Sequence, residues 1–171
     1  MNGSRRRLLR ALPLLTATAT LGGCGFQLRG APSYAFQSIY VGGGTSGFTN
    51  ELRRNLRAQG TIRVIEDPTQ QNTADVILDV LQDQRERTVV GLTATGQSRE
   101  LQLRVRVNYR LRTPSGRELT PSTELLMQRD MSFTESAVLA KESEEAMVYR
   151  DLQTDIVQQL LRRLAAVKSL A

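Results

Sequence analysis

The chain has no histidine and only one cysteine among its 171 residues. Without imidazole there can be no Ser-His-Asp or Cys-His arrangement and no histidine-ligated metal site, and a single cysteine cannot form an internal disulfide. The glycine run Gly42-Gly43-Gly44 lacks the following lysine and hydroxyl of a phosphate-cradling loop. Apolar runs are also short. The longest, before residue 24, is interrupted by Pro13 and several threonines and falls well below the roughly 20 residues that a bilayer-spanning helix needs. The carboxylates fall on the exteriors of predicted helices and strands. Asp75 and Asp79 share one strand face, but their flanks hold no catalytic pattern, so they read as solvated charge. An enzyme is therefore not expected, and no cofactor is implied.

What is present begins at the N-terminus. Arg5, Arg6, Arg7 and Arg10 lead into an apolar stretch that exits through Leu21-Gly22-Gly23-Cys24. A basic start, an apolar middle and a small-residue exit are the parts of a secretory signal peptide, which is removed and takes no part in the fold. The exit resembles the lipobox of a bacterial lipoprotein precursor. That resemblance implies cleavage before Cys24, a covalent lipid on its thiol, and membrane attachment by acyl chains worth about 0.8 kcal/mol per buried methylene. Gly25 follows the cysteine in the place where an aspartate would favour retention at the inner membrane, which resembles lipoproteins sorted to the outer membrane.

Removing the signal changes the charge balance. Four of the 23 basic side chains precede Cys24, leaving 19 against 17 acidic ones, so the apparent basicity is mostly targeting and a nucleic-acid partner is not expected. The organisation expected is a signal peptide over 1–23, a lipidated leader over 24–34 and one domain over 35–171. With its cysteine acylated, that domain must be held by packing alone.

Periodicity gives the architecture. Ala35 to Val41 reads as a strand, Phe48, Leu52 and Leu56 as one face of a short helix capped by Thr45 or Ser46 and ended by Gly60, and Thr61 to Glu66 as a second strand before the Asp67-Pro68 turn. Ala74 to Val90 places Val76, Leu78 and Val80 on one face, but Gln82 to Thr88 is polar on both. Such a strand is expected to run beyond the core as one arm of a hairpin turning through Gly91 to Gly96. On the return, Leu101, Leu103, Val105, Val107, Tyr109 and Leu111 alternate with polar residues in the cleanest period of two in the chain. Thr113 to Gly116 turns into a strand marked by Leu125, Met127, Met131 and Phe133. A final helix carries Tyr149, Leu152, Ile156, Leu160, Leu164 and Val167 at steps of three and four, with Glu142, Glu144 and Glu145 near its start. The fold class expected is α/β (α+β), a two-layer sandwich with two helices on one face of a mostly antiparallel mixed sheet of four to five strands.

Two stretches then carry a specific resemblance. Cys24-Gly25-Phe26-Gln27-Leu28-Arg29-Gly30 is similar to the mature start of the LptE family of lipopolysaccharide-assembly lipoproteins. The series Leu139-Ala140-Lys141-Glu142, Tyr149-Arg150-Asp151-Leu152 and Gln158 to Leu164 resembles the final helix of that family. The resemblance implies an outer-membrane lipoprotein, periplasm-facing and seated in the lumen of an LptD-type β-barrel, that supports the barrel's assembly and binds lipopolysaccharide on its way to the outer leaflet.

Within that implied role, lipid A phosphates call for Arg forks, Lys charges or helix N-termini. Lys141, near the start of the final helix where the dipole disfavours a cation, is a candidate, together with Arg99, Arg104 and Arg106. The hairpin tip at Thr93, Ala94, Thr95 and Gly96, with Arg110 and Arg112, forms the candidate barrel-facing surface. The plainer account is that the arginines form a solvated surface and Lys141 pairs with Glu145 four residues on. Two other functions stand beside this one. A lipoprotein that builds another barrel or secretion complex would share the anchor and the fold without binding lipopolysaccharide; a lipid-anchored hydrolase conflicts with the missing histidine and free cysteine.

Overall fold

A computed structural model of the protein describes residues 32–92, 96, 98–132 and 138–170. The strands are β1 (Ser38–Val41), β2 (Arg63–Ile65), β3 (Val76–Leu92), β4 (Ser98–Arg112) and β5 (Glu118–Ser132), with helices α1 (Gly47–Ala58) and α2 (Val138–Ala165). They form one five-stranded mixed sheet in the order β2-β1-β3-β4-β5. β1 is parallel to both of its neighbours, whereas β3, β4 and β5 form an antiparallel meander. This is the expected α+β sandwich.

The short elements follow from local chemistry. The Ser46 hydroxyl accepts from the Thr49 N–H at 3.2 Å and caps α1, and Gly60, at φ +68°, leaves the helix in the left-handed region that glycine tolerates. Phe48, Leu52 and Leu56 are fully buried beneath it. In the loop after β1, Gly43 has φ +99°, and a Cβ there would lie 2.6 Å from that of Val80, so only glycine lets the loop cross β3 this closely. The first two strands are shorter than the pattern suggested. Asp67 caps a 3₁₀ turn over Pro68–Thr73 where a simple turn was expected.

The core lies between the sheet and the two helices. Leu101, Leu103, Val105, Val107, Tyr109 and Leu111 of β4 form its central row, joined by Ile39, Val41, Val76 and Leu78 and covered by Leu152, Ile156, Leu160 and Leu164 of α2. The hairpin arm leaves the core on its β3 side, as expected, with Val89, Val90 and Leu92 exposed, but not on its β4 side. At 28 residues and 1.5 Å per residue, α2 is about 42 Å long and lies over the far half of the sheet as well, so Leu101 and Leu103 are fully buried.

The polar stretch of β3 has a different cause. Val80 pairs with Tyr109 and Gln82 with Asn108, so Leu81 is an extra residue, a bulge that reverses the alternation. Beyond it Asp83, Arg85, Arg87 and Val89 share the helix side with the buried row of β4, while Gln82, Gln84, Glu86 and Thr88 take the opposite, open side.

Candidate functional site

The open face of the β3-β4-β5 meander is a ladder of polar side chains. Because paired residues in an antiparallel sheet share a side, the register sets each arginine of β4 beside particular residues of the flanking strands. Arg106 lies between two carboxylates, 3.0 Å from Glu86 and 2.6 Å from Glu124. Its hydrogen bonds to Glu86 and then Glu124 raise its pKa. Arg104 hydrogen-bonds Gln102, whose amide donates to Asp130 at 2.9 Å, and Asn108 donates to Gln82 at 2.6 Å.

Nearer the β1 end, Arg110 and Arg112 both reach Asp79, each with a nitrogen 2.8 Å from its Oδ2. Burial works to raise the Asp79 pKa, but the hydrogen bonds and charges of Arg112 and Arg110 outweigh it and hold the carboxyl below its ordinary value. Asp75 has a separate task. Its carboxylate accepts from the N–H groups of Gln37 and Ser38 at 2.8 and 2.9 Å, which lowers its pKa and ties the entry of β1 to β3. The two aspartates are structural clamps on different partners, not the solvated charges that the sequence suggested.

Lys141 lies on the other layer, in the first part of α2. Its Nζ donates to Glu144 at 2.7 Å, and its side chain is only 17 % exposed. The expected partner Glu145 is taken instead by Arg87 of β3, at 3.2 Å, and no acidic residue occupies the first turn of α2. Lys141 and the group Arg104, Arg106, Arg110 and Arg112 are thus on opposite sides of the sheet. Arg99 belongs to β4, with its side chain outside the described residues. Gly96 is exposed at φ +81°; Cys24, Thr93, Ala94 and Thr95 lie outside the described residues.

A polar clip holds α2 over the sheet beside Lys141. Arg85 places its guanidinium 5.5 Å from the Tyr149 ring centre and donates to Gln153 at 2.9 Å. Tyr149 donates to the Glu86 carbonyl at 2.8 Å, and Gln153 and Thr154 both donate to Glu51 of α1. Sequence reasoning found the arginine row and missed Glu86, Glu124 and this clip. For Arg85 and Glu86 the signal is only the alternation of β3 counted with one extra residue. Among the described residues no group of acidic or cysteine side chains is arranged to hold a metal, and no helix is long and apolar enough to cross a membrane.

A family model for lipopolysaccharide assembly, LptE, matches residues 36–164, nearly the whole of the described sheet and both helices. The chain belongs to the LptE family. It is similar to the LPS-assembly lipoprotein LptE of Pectobacterium atrosepticum, at 27% identity over 165 residues, covering 95% of this chain and 88% of that protein. Among solved structures it is similar to lipoprotein B of Nitrosomonas europaea, with a TM-score of 0.70, 30% identity and coverage of 83% of this chain and 91% of that one. The rare lipoprotein B of Shewanella oneidensis shares the fold, at a TM-score of 0.65, 18% identity and coverage of 76% and 95%. Membership in the LptE family makes the chain a membrane-associated lipoprotein of the lipopolysaccharide-assembly system, with a role in assembly and transport and no catalytic step assigned to it.

Proposed function

We propose that this LptE-family chain is anchored to the outer membrane through acylated Cys24, occupies the lumen of an LptD-type β-barrel, and binds lipopolysaccharide during its delivery to the outer leaflet. The observation that carries the reading is the open sheet face. It is polar apart from Leu126, and Arg106, Arg110 and Arg112 are paired with carboxylates of the neighbouring strands, which suits contact with the polar interior of a barrel and not with acyl chains. Lys141 and Arg99, with Arg104 and Arg106, are the proposed contacts for lipid A phosphates, and Thr93 to Gly96 with Arg110 and Arg112 the proposed barrel contacts.

The test uses photo-crosslinkers at Gln102, Arg104 and Asn108 on the open side and at the hairpin tip, in cells. Adducts with one large barrel protein from these positions, and none from the buried Leu103, are expected. Correct anchoring without any adduct would remove the lumen model. For the ligand, K141E with R99E is expected to weaken lipopolysaccharide binding while the barrel complex still forms. Unchanged binding at low ionic strength, where charge contacts are strongest, would favour a barrel partner without a lipopolysaccharide site.

A further inference from the structure

The far end of α2 holds a second polar feature that the ladder and Lys141 leave unexplained. Tyr109 sits in the buried row of β4 and is only 1% exposed, yet its hydroxyl has no hydrogen-bond partner among the described residues. Tyrosine in a core normally finds a partner for that group. The ring borders a groove of about 410 Å³ between the start of β5 and the end of α2, lined also by Leu119, Thr120, Arg163, Val167 and Lys168. The lining contains two cations and no carboxylate, and neither Arg163 nor Lys168 forms a salt bridge among the described residues. The negative end of the helix dipole accounts for cations at this end of α2. It does not account for a buried hydroxyl left without a partner beside them.

We propose that this groove binds a phosphate group, held by the Arg163 guanidinium and the Lys168 ammonium, with the Tyr109 hydroxyl, closed off from solvent in the free chain, turning to it as a third donor. Three donors of different geometry on one groove match the several oxygens of a phosphate better than the two of a carboxylate. Leu119 and Val167 give the groove an apolar wall, so the phosphate can belong to a lipid headgroup or be free in solution; the chemistry recognised is the same. The site lies at the opposite end of α2 from Lys141, and the inference does not rest on the barrel or lipopolysaccharide reading.

The experiment takes the full mature chain in a nonionic sugar detergent with ring-labelled tyrosine, the Tyr109 ζ-carbon signal being assigned by its loss in Tyr109→Phe. Inorganic phosphate, a short-chain phosphatidylglycerol and the matching uncharged diacylglycerol are titrated separately. A saturable shift of the Tyr109 signal is expected with a phosphate-bearing ligand and not with diacylglycerol. Saturation by inorganic phosphate assigns the site to the free anion; saturation by the lipid alone assigns it to a headgroup. Arg163→Ala with Lys168→Ala, both on the surface, is expected to weaken binding by about tenfold or more, the scale of hydrogen bonds to a charged group. No saturable shift, an equal shift with diacylglycerol, or unchanged affinity in the double variant would overturn the proposal. None of these results depends on lipopolysaccharide, so failure here is separable from failure of the proposed function.

Discussion

At the scale of single residues, the two clamping aspartates make stability sensitive to acid. Asp79 has a native pKa below its unfolded value of about 4, so its contribution is complete above that pH and is lost as pH falls through the lowered native value. Its side chain is 20% exposed and serves two arginines, which puts the loss in Asp79→Asn at about 1–2 kcal/mol at pH 7 after allowing for solvent screening. Urea unfolding at pH 7 and at pH 3 checks this. The variant should be weaker at pH 7, and the gap should narrow at pH 3. A gap that is constant with pH would mean that shape, not charge, is what Asp79 supplies. The sequence displayed Asp79 on a strand face opposite the core, which is correct. It could not display Arg110 and Arg112 as partners, because those lie more than thirty residues away and meet it only through the strand register.

At the scale of elements, β4 was legible and β3 was not, for one physical reason. β4 alternates without interruption over Leu101 to Leu111, so its faces are read directly. β3 carries the Leu81 bulge, which shifts Gln82 to Val89 to the other parity, and the charged residues then on the helix side find Glu145, Tyr149 and Gln153 of α2 as partners. A charged residue that pairs with the flank of a helix looks like an unpaired one in the sequence. For Lys141 the helix was legible and the partner was not, since two glutamates were in reach and Arg87 holds Glu145.

The bulge also makes a prediction about length. Leu81 has no partner in β4, so deleting it leaves every later pair and both faces as they are. Deleting Gln84, three residues on, would turn Arg85 to Leu92 over and set the wrong side chains against Leu103 and Val105. The Leu81 deletion should fold with a modest loss, and the Gln84 deletion should lose several kcal/mol, since it takes Arg85 from Tyr149 and Gln153, Arg87 from Glu145 and Glu86 from Arg106 together. Circular dichroism with urea titration separates the two; equal damage from both would show that the bulge is needed for the bend it makes.

At the scale of the whole molecule, attachment is expected to rest on one thiol. Replacing Cys24 with serine should block acylation and move the protein from the membrane pellet to the soluble or unprocessed fraction, as mass spectrometry of the native N-terminus and cell fractionation would show. An unmodified Cys24 in the native protein, or cleavage at another bond, would refute it. The family was legible from the motifs beside this cysteine and along α2. The layout behind them, with the polar ladder on one side of the sheet and Lys141 on the other, needed the register.

The central strand has one further consequence. β4 runs for 15 residues with hydrogen-bonded neighbours on both sides, about 50 Å of backbone at 3.4 Å per residue, and it is backed by a single unbroken helix. The apolar band of an outer-membrane barrel is about 25 Å tall. The strand is about twice that height, so its Arg112 and Ser98 ends cannot both lie within such a band if it stands upright. Its length, more than its surface, then sets how far apart its two ends stand, and lengthening or shortening the hairpin in steps of two residues would change that distance while keeping both faces intact.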